Sequence, residues 1–142
     1  SEYERIFYSG PIDEYFNYKF GELPYRSLRF EFLKFERPYF QSNAVINYPC
    51  NYEFTRIGEY KYFLGSQSKA TTVSYEYPQL FVLGKNERYY PLFTDSARAA
   101  YLKYASEASN VGNLILFGRL GDYKYYDMDT AIAGAISKTI NL

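Results

Sequence analysis

The sequence predicts an α+β fold, mainly antiparallel β-sheet with a few helices. Three observations carry that prediction. Apolar and polar residues alternate through "YRSLRFEFLKFE" and again through "ATTVSYEY", the pattern of strands with one buried face. The period becomes helical in "TDSARAAYLKYASEAS" and "MDTAIAGAISKTI", where apolar residues recur every three or four positions. Between those helices lies "NLILF", wholly apolar, as in strands covered on both faces.

Taken in order, "ERIFYS" reads as a short strand stopped by Gly10-Pro11, since that dipeptide punctuates a chain. "IDEYFNYKF" makes one or two helical turns, begun by Asp13 and ended by Gly21. In the first long strand Leu28, Phe30 and Phe32 share one face and Arg29 and Glu31 the other. The alternation slips near Leu33, where a bulge is expected. "NAVINY" is a further strand, and "FTRIGEYKYF" another. The latter places Phe54, Arg56, Tyr60 and Tyr62 on one face and Thr55, Ile57, Glu59 and Lys61 on the opposite one. "ATTVSYEY" follows, with Val73, Tyr75 and Tyr77 in phase. Gly65 and Ser66 supply the turn between these last two, so they should pair antiparallel. "GKNERYYP" is a turn and a short extended piece. A helix capped by Thr94 or Asp95 then carries Ala97, Ala100, Tyr101, Tyr104 and Ala108 on one stripe. The final helix, capped by Asp127 or Asp129, repeats Met128, Ile132, Ala135, Ile136 and Ile140.

Composition narrows the function. Sixteen basic and sixteen acidic residues cancel, which removes the electrostatic case for nucleic acid or an anionic membrane. No apolar run approaches the roughly 20 residues of a spanning helix, and "SEYERIFYSG" has no signal-peptide order. A soluble, cytoplasmic protein is expected. One cysteine, Cys50, excludes an internal disulfide, and histidine is absent, so no metal site is expected. Aromatic content is high, with 19 Tyr and 12 Phe. That suits wide, polar-edged clefts for sugars or nucleotides, and it equally suits an ordinary β-rich core.

The chemistry gathers in "FGRLGDYKYYDMD", Phe117 to Asp129. Read as strand, glycine turn, loop and helix, it lets backbone amides approach a ligand at Gly118 and Gly121. The following helix offers unpaired N–H groups and the positive end of its dipole. Arg119 adds a planar donor fork suited to phosphate. Neither Gly-Lys-Ser/Thr nor G-x-G-x-x-G occurs anywhere in the chain, so neither common nucleotide fingerprint applies.

"GPIDEYFNYKFGELPYRSLRFE", "NYEFTRIGEYKYF", "RYYP" and "GRLGDYKYYDMD" together resemble consecutive blocks from the C-terminal part of UDP-galactopyranose mutases. The resemblance implies an FAD flavoenzyme that interconverts UDP-galactopyranose and UDP-galactofuranose through a flavin N5–sugar adduct. The flavin is then the nucleophile, no side chain is a catalytic residue, and the reduced form is the active one. It also implies substrate contacts at Arg56, Tyr90, Tyr125 and Asp127. Tyr89 competes with Tyr90 for that place by one position. Cofactor contacts are implied at Gly118, Arg119, Tyr126 and Met128, and at Gly10 and Pro11. Ser9, Tyr60 and Tyr62 depart from the threonine and histidines common in the family.

The same resemblance assigns residues 1–20 to a strand and loop of a Rossmann-like FAD-binding domain. Residues 21–92 become an antiparallel substrate-domain sheet, and 93–142 return to the FAD domain. The N-terminal half of that domain, with its glycine fingerprint, lies outside the 142 residues. The chain by itself is therefore expected to bind FAD poorly and to be inactive, with homodimerisation of the full enzyme left open. The competing expectation is a non-catalytic, tyrosine-rich module for nucleotide-sugars or carbohydrates.

Overall fold

A computed structural model describes residues 3–140, which fall into two compact units. The first comprises the chain up to Arg26 and again from Arg88 onward, and the second comprises Ser27–Glu87.

In the first unit, β1 (Ile6–Tyr8) and β7 (Leu114–Leu116) pair in parallel, with Phe7 opposite Ile115. The two runs predicted as strands of a covered sheet are thus neighbours, and all three β7 residues are half-buried. Helix α1 is short, Ile12–Tyr15. Its expected cap, Asp13, instead lies inside the helix, fully buried, and accepts the Leu23 amide at 2.9 Å. Pro11 holds the cap position, and positive φ at Asn17 and Tyr18 ends the turn.

Helix α3 (Asp95–Ser109) forms where predicted, and the Thr94 hydroxyl caps it by accepting the Ala97 amide at 3.1 Å. Its stripe is inward at Ala97, Tyr104 and Ala108. Tyr104 is wholly buried: its hydroxyl donates to Gly21 O at 2.7 Å and accepts the Phe20 amide at 2.9 Å. A buried phenol needs such partners, because an unsatisfied hydroxyl costs about 1–3 kcal/mol.

The second unit is an antiparallel sheet. Its strands are β2 (Tyr25–Phe35), which begins in the first unit, β3 (Val45–Asn47), β4 (Arg56–Glu59) and β5 (Thr71–Leu80), in the order β3-β4-β5-β2. The first two residues of β2 pair with β6 (Tyr90–Pro91), Tyr25 opposite Pro91 and Arg26 opposite Tyr90. β4 and β5 pair antiparallel as expected, Ile57 opposite Tyr75.

The predicted continuous strand "FTRIGEYKYF" is interrupted. After Glu59 the chain turns into α2 (Lys61–Leu64), closed by Gly65 in the left-handed region at φ 59°. Tertiary bonding overrides alternation here. Glu59 is fully buried and accepts the amides of Phe40 (2.9 Å) and Gln41 (3.0 Å) and the Thr71 hydroxyl (2.5 Å). Lys61 is buried too and donates to the carbonyls of Pro38, Ser68 and Ala70. One short segment thereby gathers the loops on both sides of it. Burial alone would raise the Glu59 pKa, but the hydrogen bonds from Thr71, Phe40 and Gln41 and the Lys61 charge outweigh it, and the carboxyl stays below its ordinary value.

Candidate functional site

The glycine turn after β7 is itself helical. Gly118–Gly121, read from the sequence as a glycine turn, form a single helical turn, α4. Gly118 enters it at φ +77°, a conformation that other residues adopt only with strain. Gly121 is needed for space: a Cβ there would sit 3.0 Å from Tyr8 O and 3.7 Å from Gly10 O. Helix α5 (Met128–Thr139) follows. Asp127 occupies its N-cap position with extended backbone, but its carboxylate makes no cap hydrogen bond. The first-turn amides of α5 therefore keep no side-chain acceptor.

Between α4 and α5, Tyr123 anchors the segment to the core of the first unit. Its ring is buried, stacks on Tyr101 at 5.5 Å and meets Tyr25 edge-on at 5.4 Å. Its hydroxyl lies 2.6 Å from Pro24 O and 3.0 Å from Leu92 O. Burial pushes that phenol up to about 12.

A cavity of about 360 Å³ opens beside this segment, lined by Arg88, Tyr89, Arg119, Tyr126, Asp127 and Met128, with Leu120 and Ala131. Arg119 is one of its two cations. It donates to Tyr126 O at 2.7 Å and Tyr89 O at 3.4 Å. Its guanidinium lies over the Tyr90 ring at 4.5 Å and near the Tyr125 ring at 5.5 Å, and those rings stack on each other at 5.5 Å. Among the described residues no carboxylate pairs with it. Its charge is thus held by carbonyl dipoles and aromatic faces and stays uncompensated. Arg88, by contrast, pairs with Glu14 at 3.0 Å and donates to the Tyr18 hydroxyl at 3.2 Å.

Four of the sequence-predicted residues, Arg119, Tyr126, Asp127 and Met128, line this cavity. Gly118 begins α4 beside it, while Tyr90 and Tyr125 form the stack under Arg119, Tyr125 being 57% exposed. Of the two competing tyrosines, Tyr89 lines the cavity and Tyr90 carries the stack. Gly10 and Pro11 are not among the lining residues. Gly10 lies under the Tyr8 ring, where a Cβ would come within 2.6 Å of the phenol oxygen, and Pro11 O accepts that phenol. Arg56 belongs to the second unit, where its Nε donates to Asn47 Oδ1 at 3.0 Å and its guanidinium lies 3.6 Å from Glu76.

Arg88 escapes the sequence reading although "NERYYP" sets it two residues before Tyr90. In an extended piece alternate side chains share a face, so the residue two before a candidate tyrosine is the one to examine. Tyr126 is also less free than its type suggests. Its hydroxyl donates to Asp122 Oδ2 at 2.9 Å. Burial first, and then that hydrogen bond and the Asp122 charge, push the phenol up to about 12.

The last helix differs from expectation in its facing. Of the predicted apolar stripe, Met128, Ile132, Ile136 and Ile140 are exposed and only Ala135 is half-buried, alongside Ala131 and Lys138. Among the described residues no helix is long and apolar enough to cross a membrane, and no group of three or more candidate ligands could hold a metal ion.

Comparison with known proteins extends this picture. The UDP-galactopyranose mutase family profile matches residues 1–125. A protein described as a probable UDP-galactopyranose mutase in Klebsiella pneumoniae is 41% identical over 95% of the chain. The UDP-galactopyranose mutase of Mycoplasma genitalium is 39% identical over 96% of it. A dTDP-fucopyranose mutase of Escherichia coli is 34% identical over 95%. The chain spans about a third of the length of these relatives, 35–36% in each case. The chain belongs to the UDP-galactopyranose mutase family.

Proposed function

We propose that the chain is the C-terminal portion of a cytoplasmic, flavin-dependent UDP-galactopyranose mutase, converting UDP-galactopyranose to UDP-galactofuranose with no net redox change. The observation that carries this reading is Arg119: an uncompensated guanidinium, wedged on Tyr90 and Tyr125, in a cavity at the open N-terminus of α5. That donor set suits an anion or an electron-rich ring edge, so it fits reduced flavin on one side and a sugar diphosphate beside it. Gly118, Arg119, Tyr126 and Met128 would hold the cofactor. When bound, reduced FAD supplies the nucleophile for the anomeric carbon, which is why the chain needs none of its own.

The chain's residues then bind and orient. Tyr90 and Tyr125 are proposed as neutral donors to the diphosphate, and Arg56 as its charged ligand, suited by its planar fork. Asp127, whose carboxylate makes no cap hydrogen bond to α5, accepts from a sugar hydroxyl. The α5 N-terminus favours negative charge on the cofactor. The 142 residues by themselves are proposed to be inactive, the glycine-rich nucleotide fingerprint lying outside them.

The test uses the full-length protein. Arg56→Ala should remove most turnover of UDP-galactofuranose while flavin stays bound. Flavin loss with UDP affinity intact would sink the assignment of Arg56. A wild-type protein that binds UDP-galactose but never forms the furanose would support the non-catalytic module instead. Because one relative is named for dTDP-fucopyranose, competition between UDP and dTDP sugars should accompany these assays, with the UDP sugar expected to win.

A further inference from the structure

The segment that carries Tyr125 and Asp127 is held by a side-chain circuit that begins behind the cavity and ends on two of its lining residues. Lys138, in the last turn of α5, sends its ammonium inward to Leu116 O at 2.6 Å and Asp122 Oδ1 at 2.7 Å. Leu116 is the final residue of β7. The other oxygen of Asp122 accepts the Tyr126 hydroxyl at 2.9 Å. Tyr126 in turn offers its carbonyl to Arg119 at 2.7 Å. The bonds run Leu116, Lys138, Asp122, Tyr126, Arg119 and tie β7, α4, the connecting segment and α5 together.

Both carboxylate oxygens of Asp122 are engaged inside the protein, and its side chain is only 13% exposed. It cannot also serve as a ligand without releasing a partner. Its effect is indirect: it fixes Tyr126, whose carbonyl orients Arg119 and whose next residue is Asp127. A charge-assisted, partly buried bond of this kind is stronger than an exposed surface pair.

We infer that Asp122 and Lys138 are positioning residues for the ligand cavity, setting through Tyr126 where Arg119 and Asp127 stand. This rests on the mutase reading of the cavity. The circuit also explains why α5 turns a lysine inward while isoleucines face out. Charge at position 138 is needed at the end of β7, where a carbonyl and a carboxylate converge.

The experiment measures UDP affinity, KM and kcat for the sugar nucleotide, and amide hydrogen exchange over residues 117–129, in the full-length protein. The variants are Lys138→Met, Asp122→Asn and their combination, with Lys138→Arg as the conservative control. Each broken link should weaken UDP binding and raise KM roughly 5- to 10-fold, the range of one ordinary hydrogen bond, because the lost charge-assisted bond acts on the ligand only through Tyr126. The double variant should be no weaker than the worse single, because both cut one circuit. Lys138→Arg should stay within about 2-fold of wild type, since a guanidinium can still donate to both oxygens. Exchange over 117–129 should quicken in the two singles and the double. Faster exchange with UDP affinity unchanged would overturn the inference and leave the mutase reading intact. So would single effects that multiply. Wild-type protein that binds no UDP would instead overturn the reading of the cavity, and the inference with it.

Discussion

Two charged clusters, one in each unit, are held in opposite ways. In the second, Glu59 and Lys61 are wrapped: three donors meet one carboxylate and three carbonyls meet one ammonium. In the first, among the described residues, the exposed Asp127 carboxylate makes no hydrogen bond and the Arg119 guanidinium has no counter-ion. A charge whose valences are filled by its own chain organises loops. A charge left open by a fold that elsewhere fills them is available to something from outside. The contrast separates scaffold from site without reference to any relative.

The largest test of that contrast is Glu59→Ala. It strands the Phe40 and Gln41 amides, the Thr71 hydroxyl and the Lys61 charge, and should cost about 3–5 kcal/mol. Urea denaturation of the full-length protein reads it, and a loss below about 1 kcal/mol would erase the distinction between the units. Acid should act the same way. The Glu59 pKa is lowered on folding, so its contribution is complete above the ordinary carboxylate range and fades as pH falls through the lower folded value. Glu59→Gln should flatten that acid limb.

Lys61→Met comes next, at about 2 kcal/mol, because three carbonyls lose one shared donor. Thermal melting at constant pH measures it. Asp13→Asn should have the opposite sign. Burial raises the Asp13 pKa, so the unfolded chain releases its proton first and the folded state loses ground as pH rises above about 4. The asparagine can still accept the Leu23 amide. Its melting temperature relative to wild type should therefore climb between pH 4 and pH 7, and a difference that shrinks over that range would refute the assignment. Asp127→Asn should be the smallest in stability, within about 0.5 kcal/mol, while UDP-galactose binding weakens. A stability loss above about 1 kcal/mol would make Asp127 a structural cap after all.

Local signals announced themselves where one element decides its own form. The Thr94 cap, the α3 stripe and the β4–β5 pair were all legible, since alternation, helical period and a capping hydroxyl are written in neighbouring residues. The break after Glu59 was not, because its cause is Pro38, Phe40, Ser68 and Ala70, scattered over more than thirty positions. Gly65 was visible as a turn but is a helix stop. At the cavity, "GRLGDYKYYDMD" drew attention to Arg119, Tyr125, Tyr126 and Asp127 through residue type. Arg88 and Lys138 stayed hidden because they act through carboxylates 74 and 16 positions away, and Asp122 because its role depends on Lys138. The α5 stripe shows the limit of periodicity: it marks which residues share a face, and not whether the described chain covers that face.

Arg119 has a consequence for the thermodynamics of recognition. A free arginine gives up about 2 kcal/mol of rotamer entropy when a ligand immobilises it. Here two carbonyls and two aromatic rings have already fixed the guanidinium before any ligand arrives. An anion that meets it should bind with a small entropic penalty, visible by calorimetry. Lysine at position 119 would bring equal charge on an unrestrained head, and its weaker binding should appear in the entropy rather than in the heat.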